Sequence, residues 1–165
     1  MEWNPSTGWK KIEGTDTGYP NGVAVSPDGE WVYIASWATG EIIKVSRGKE
    51  EVEREDMPLN FLPDNLTWRA NGGLFIGGQE VTLAEFLECD TTEGCNTPSK
   101  VAEYNTITGK ISDILSYSDT SVFGGASSAL DVGNEIWVGT YKGDRIARFD
   151  KGDLISTWIK RILGY

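Results

Sequence analysis

At 165 residues the chain is long enough for one domain with a real core and short for two. Its formal net charge of -10, from 15 basic against 25 acidic side chains, gives a field that repels phosphate backbones and anionic lipid surfaces, so neither nucleic acid nor membrane is an expected partner. Histidine is absent altogether, which excludes serine–histidine triads, cysteine–histidine pairs and histidine-ligated zinc within this polypeptide.

No apolar run approaches the roughly 18 residues of a membrane helix, and Met1-Glu2-Trp3-Asn4-Pro5 lacks the basic start and apolar stretch of a signal peptide. Nor does a phosphate-cradling Gly-x-x-x-x-Gly-Lys stretch occur. Twenty glycines and seven tryptophans among short runs of Val, Ile and Tyr favour many strands joined by tight turns, because β-branched and aromatic side chains suit a pleated surface.

Residues 1–17 read as strand, turn and strand, the outer half of a blade whose inner half is absent. Residues 18–58 make a fuller unit: an inner strand Val23-Ala24-Val25, a Pro27-Asp28-Gly29 turn, a strand over 31–35, and a third over 41–45 after Thr39-Gly40. The acidic run 50–56 holds a candidate outermost strand at 51–54, whose charges discourage pairing with other chains. Residues 59–120 repeat the pattern with strands at 65–68, 74–77, 101–104 and 110–115, interrupted by a long insertion that carries Cys89 and Cys95. Residues 121–165 repeat it again at 129–132, 135–140 and 145–149. The tail over 154–163 reads either as a last outer strand, the favoured reading, or as a short amphipathic helix.

A recurrence of all-strand units every 40 to 50 residues or so is the mark of propeller blades. The expected fold is therefore all-β, with about three four-stranded blades. In a propeller the innermost strands line one central channel, so residues just ahead of each inner strand meet at one mouth of it. Asn21 and the pair Asp64-Asn65 hold that place in two units, each after a proline, Pro20 and Pro63, that fixes the approach. Either motif alone is an ordinary turn. Repeated in phase, two amides and a carboxylate form a hard-oxygen cluster that suits Ca²⁺ or a similar divalent cation. The chemistry left open is metal-assisted, with Asp64 as the carboxylate that moves the proton.

Asn65-Leu66-Thr67 matches a glycosylation sequon but sits at the channel mouth, out of easy reach, and is discounted. Cys89 and Cys95 bracket a glycine-containing loop, where a short disulfide is favoured slightly over two free thiols. An exported protein follows if that disulfide forms and a longer precursor exists, and a cytoplasmic one otherwise.

The run from Pro20-Asn21-Gly22-Val23 to Asp28-Gly29, with Pro63-Asp64-Asn65-Leu66, Leu74-Phe75-Ile76-Gly77 and Tyr141-Lys142-Gly143-Asp144, resembles the senescence marker protein, gluconolactonase and luciferin-regenerating enzyme family and the related paraoxonases. The resemblance covers about residues 2 to 149. It implies a six-bladed propeller with a divalent cation, usually Ca²⁺, in its channel, hydrolysing lactones or aryl esters. It carries the family's metal asparagine onto Asn21, and its aspartate, followed by asparagine in paraoxonases, onto Asp64 and Asn65. A glutamate and a further asparagine that complete the family's site come from blades this chain lacks, and Gly124-Gly125-Ala126-Ser127-Ser128 offers only small groups and hydroxyls at the matching place in the third unit. The paraoxonase histidines are missing too, which leaves the gluconolactonase-like version of the mechanism as the better match.

Three blades do not close a ring, so the expectation is the C-terminal half of a longer, calcium-dependent lactonase or arylesterase acting on a small-molecule lactone or ester, inactive alone. A dimer of half-rings is the less favoured arrangement. The competing reading is a non-enzymatic propeller module with a structural calcium site. A strictosidine-synthase-like condensation is a third, but it needs a glutamate that has no counterpart here.

Overall fold

Short apolar runs broken by turns give four antiparallel sheets in the computed structural model, which describes residues 1–154. Strands β1 (Glu2–Asn4) and β2 (Gly8–Lys10) form a hairpin. The first blade is β3 (Pro20–Val25), β4 (Trp31–Ser36), β5 (Glu41–Ser46) and β6 (Arg54–Pro58), in that spatial order. The second is β7 (Leu62–Trp68), β8 (Leu74–Gln79), β9 (Ser99–Asn105) and β10 (Lys110–Tyr117), likewise a meander. The third contains β11 (Ala126–Val132), β12 (Glu135–Thr140) and β13 (Ala147–Asp150). The all-β propeller architecture expected from the repeat is the one observed. The tail read as strand or helix lies, from residue 155 on, outside the described residues.

The core lies in the seams between blades. Tyr33, Ile42 and Met57 of the first blade pack on Leu74, Ile76 and Tyr104 of the second, with Phe61 between them. Trp68 closes this seam by meeting Tyr33 edge-on at 5.6 Å and donating its indole N–H to the Val25 carbonyl at 2.7 Å. Phe75, Val101 and Leu115 pack in the same way on Ala129, Ile136 and Val138 of the third blade. Each of the large side chains stabilises the fold by roughly 1.5–3 kcal/mol through removal from water. Ile12 covers the far face of the first blade, over Val32, Ile34, Ile43 and Val45.

Two features depart from the sequence reading. The outermost strand of the first blade is Arg54–Pro58, and residues 51–53 of the expected strand are irregular backbone. Burial decides this: Met57, 7% exposed, pairs with Ile42 and fixes the register, while Ser46 and Glu53 exchange hydrogen bonds of 2.9 Å that close the turn before it. The insertion, given no element of its own in the sequence reading and a loop from Cys89 to Cys95, opens with helix α1 (Leu83–Asp90), which carries Cys89. Thr82 caps it: its hydroxyl accepts from the Glu85 N–H, and the Glu85 carboxylate accepts from the Thr82 N–H at 2.7 Å, a reciprocal capping box. Cys89 and Cys95 are joined by a disulfide, as favoured.

Candidate active site

Every inner strand breaks its register at the same place. The shift falls between Pro20 and Val23 in β3, between Pro63 and Leu66 in β7, and between Ala126 and Ser128 in β11. A bulge puts an extra residue into one strand and re-aims its side chains. The displaced residues are Asn21-Gly22, Asp64-Asn65 and Ser127, and so the two motifs singled out from the sequence lie at bulges that bring them together. Gly22 makes the approach possible. A Cβ there would stand 2.4 Å from the Asp64 carbonyl oxygen and 2.7 Å from the Asn65 Cα, closer than any side chain tolerates.

Asp64 is the centre of the cluster and is 8% exposed. Its Oδ1 accepts from Asn65 Nδ2 at 2.9 Å, its Oδ2 accepts from Gln79 Nε2 at 3.3 Å, and the amide of the exposed Asn21 reaches the same carboxylate. Among the described residues, these donors are all amides. Burial pushes the Asp64 carboxyl above its ordinary value of 3.8, and the hydrogen bonds from Gln79 and Asn21 offset only part of that rise. The three expected site residues are therefore gathered at one place, from two blades.

Sequence reading missed Gln79. It is 1% exposed and spans all three blades: Oε1 accepts from the Trp37 indole N–H at 2.9 Å, while Nε2 donates to Asp64 and, at 2.6 Å, to the Ala126 carbonyl. A donor at one end and acceptors at the other fix its orientation without ambiguity. Its signal in the sequence was a polar residue ending the otherwise apolar run Leu74-Phe75-Ile76-Gly77-Gly78. The third blade contributes backbone, not side chains: the Ala126 carbonyl takes Gln79, and the Ser127 carbonyl takes Asn65 Nδ2 at 3.1 Å. The small residues expected there serve as carbonyl acceptors.

Whether a divalent cation suits these groups is decided by donor type and number. Asp64 is a buried carboxylate in an acidic protein, and Asn21 and Asn65 each carry an amide oxygen beside it, so the donors fit in kind. They fall short in number, since Ca²⁺ takes about six to eight oxygens. Gln79 is not a candidate ligand in this orientation, because it turns its Nε2 toward Asp64 and its carbonyl oxygen toward Trp37. Among the described residues no group of three or more carboxylates and cysteines comes together, at this site or at any other.

No protein-family model and no curated protein matches the chain. Solved structures do. A 6-phosphogluconolactonase-like protein of Bacteroides uniformis is similar with a TM-score of 0.54 and 18% identity, over 79% of this chain and 36% of that one. The periplasmic gluconolactonase PpgL of Pseudomonas aeruginosa gives 0.52 and 14%, over 79% and 35%. A virginiamycin B lyase of Staphylococcus aureus gives 0.48 and 19%, over 86% and 44%. The chain thus spans between about a third and under half the length of these structures, and what it shares with the two lactonases is the β-propeller fold.

Proposed function

We propose that this chain carries one side of a channel-mouth site that opens lactones or aryl esters with the help of a divalent cation, Asp64 moving the proton. The observation that carries the reading is a buried carboxylate at the meeting point of two inner-strand bulges, held by amides and lifted above its ordinary pKa. Such a group takes and returns a proton more evenly than an ordinary exposed aspartate. Asp64 would accept a proton from the water that attacks the ester carbonyl carbon, and return it to the alkoxide or phenoxide oxygen as the C–O bond breaks. Gln79 and Asn65 hold the carboxylate between them so that neither oxygen swings away.

Asp64, Asn21 and Asn65 are the residues that would hold Ca²⁺ or a similar cation, through the carboxylate and the amide carbonyl oxygens. When bound, the ion would polarise the ester carbonyl. Its remaining oxygens would come from further blades, in a longer polypeptide or in a second copy of this one, because a closed channel takes about four to eight blades. The lactonase names of two similar structures agree with this substrate class.

The test is turnover of a lactone and an aryl ester, with Ca²⁺ present, by the completed ring, as a longer polypeptide or as assembled copies of this chain, and by its Asp64→Asn variant. Loss of turnover by about 10²- to 10⁴-fold with unchanged melting supports the proposal. Persistent turnover would remove Asp64 as proton carrier and favour a binding module whose cluster is structural.

A further inference from the structure

Three aromatic rings from distant parts of the chain meet beside the Asp64 cluster. Phe86 of α1 stands edge-on to Trp37 with ring centroids 4.7 Å apart, and lies 5.8 Å from the Tyr141 ring on its other side. Topology puts them at the same mouth as Asp64. Trp37 and Tyr141 each directly follow the second strand of a blade, and each donates its backbone N–H, at 3.1 Å, to the residue that precedes an inner strand, Tyr19 or Gly125. Second strands run antiparallel to inner ones, so they leave the sheet where Asn21 and Asp64 enter it. The link is also direct: the Trp37 indole is bonded to Gln79, and Gln79 to Asp64.

None of α1 is buried, so the helix is not part of the core. It is held across the mouth by Phe86, by the disulfide that ties its last turn to Cys95, and by the Asp90–Lys142 ion pair at 3.5 Å. Tyr19 adjoins the trio through its backbone, its carbonyl oxygen accepting the Trp37 N–H. Tyr19, 75% exposed and two residues before Asn21, has φ +55°, a conformation that costs a non-glycine residue roughly 1–2 kcal/mol. The polar groups that the trio carries or adjoins are engaged: the indole N–H by Gln79, the Tyr141 hydroxyl by Thr97, and the Lys142 ammonium by Asp90. What Trp37, Phe86 and Tyr141 offer a ligand is mainly ring faces and edges.

We infer that Trp37, Phe86 and Tyr141 form an aromatic wall that selects substrates bearing an aryl or other flat apolar group next to the ester, against polyhydroxylated lactones. The inference rests on the proposed ester-opening reading, with α1 as the element that sets substrate choice. Ring stacking and edge contacts reward a planar apolar group, whereas hydroxyls placed against this wall would lose water without gaining partners.

The experiment measures binding of two unreactive lactams to the native protein by calorimetry: 3,4-dihydroquinolin-2-one, which is flat and aryl-bearing, and gluconolactam, which is polyhydroxylated. Neither is hydrolysed, so the result is independent of Asp64 chemistry. The expected result is at least about tenfold tighter binding of the aryl lactam, reduced to near parity in Phe86→Ala and largely restored in Phe86→Tyr. Phe86 lies outside the buried core, so the alanine variant keeps the blades folded, which its near-ultraviolet dichroism checks. Equal or reversed preference, binding of neither lactam, or a Phe86→Ala variant that keeps the preference would overturn the wall. A protein that shows the preference yet hydrolyses neither lactone nor aryl ester would keep the wall and lose the hydrolase.

Discussion

Asp64 and Asp131 are both partly or fully buried aspartates on inner strands, at opposite ends of those strands, and they sit in opposite electrostatic surroundings. Asp131 lies near the end of β11, where Arg69 donates to both its oxygens at 2.7 and 3.3 Å and Lys151 reaches it at 2.8 Å. Burial pushes the Asp131 carboxyl up, but Arg69 and Lys151 outweigh it and hold the group below 3.8. Asp64, at the start of β7, has burial with amides alone and is held above 3.8. The residue type is the same and the field differs. Arg69, which also pairs with Glu103 at 2.6 Å, rivets the second blade to the third at the far end, while the mouth keeps a carboxylate free of any cationic neighbour among the described residues.

That contrast can be broken at either end. The largest effect expected is on turnover: Asp64→Asn loses about 10²- to 10⁴-fold in lactone or ester hydrolysis, whereas Asp131→Asn leaves the rate near wild type. Stability should sort the other way. Arg69→Met leaves Asp131 and Glu103 without their shared partner and costs about 2–3 kcal/mol by urea denaturation, less than a fully buried pair would because Arg69 retains some exposure. Gly22→Ala drives a methyl group into the Asp64 backbone. It should cost about 1–3 kcal/mol and, unlike Arg69→Met, should abolish the Asn21 contact with Asp64, which the Asn21 side-chain amide resonances report. The smallest effect is Thr82→Ala, about 1 kcal/mol confined to α1, seen as faster hydrogen exchange in the helix with no change in the blades.

The two carboxylates also make opposite contributions to stability in acid. For Asp131, whose folded pKa is depressed, the contribution is present above 3.8 and is lost as pH falls through the lower folded value. For Asp64, whose folded pKa is raised, it is present below 3.8 and is lost as pH rises through the higher folded value. Turnover that needs the ionised Asp64 should accordingly show an acidic limb centred above 3.8.

The fold was legible because its determinants are local. Continuous apolar runs such as Trp31-Val32-Tyr33-Ile34-Ala35 and turns such as Pro27-Asp28-Gly29 recur in phase, and each unit announces its own strands. Of the site, Asn21, Asp64 and Asn65 were legible for the same reason, since they hold one position in a repeat. Gln79 and the ring trio were not. Their partners are long-range, Trp37 with Gln79 and Phe86 with both Trp37 and Tyr141, and no periodicity marks a contact between blades. The helix was the one local feature overlooked, although Thr82-Leu83-Ala84-Glu85 spells its cap. The outermost strand at Arg54–Pro58 was misplaced because charge dominates that stretch and only the buried Met57 reveals which residues face the core.

Carboxyl carbon NMR of the protein labelled at aspartate, titrated from pH 7 to pH 2, addresses the mouth most directly. The account predicts that Asp64 protonates above 3.8 while Asp131 in the same sample protonates below it, and that Arg69→Met raises Asp131 without moving Asp64. An Asp64 that titrates at or below 3.8 would contradict it, for the mouth would then hold an ordinary surface-like carboxylate with no special capacity to carry a proton.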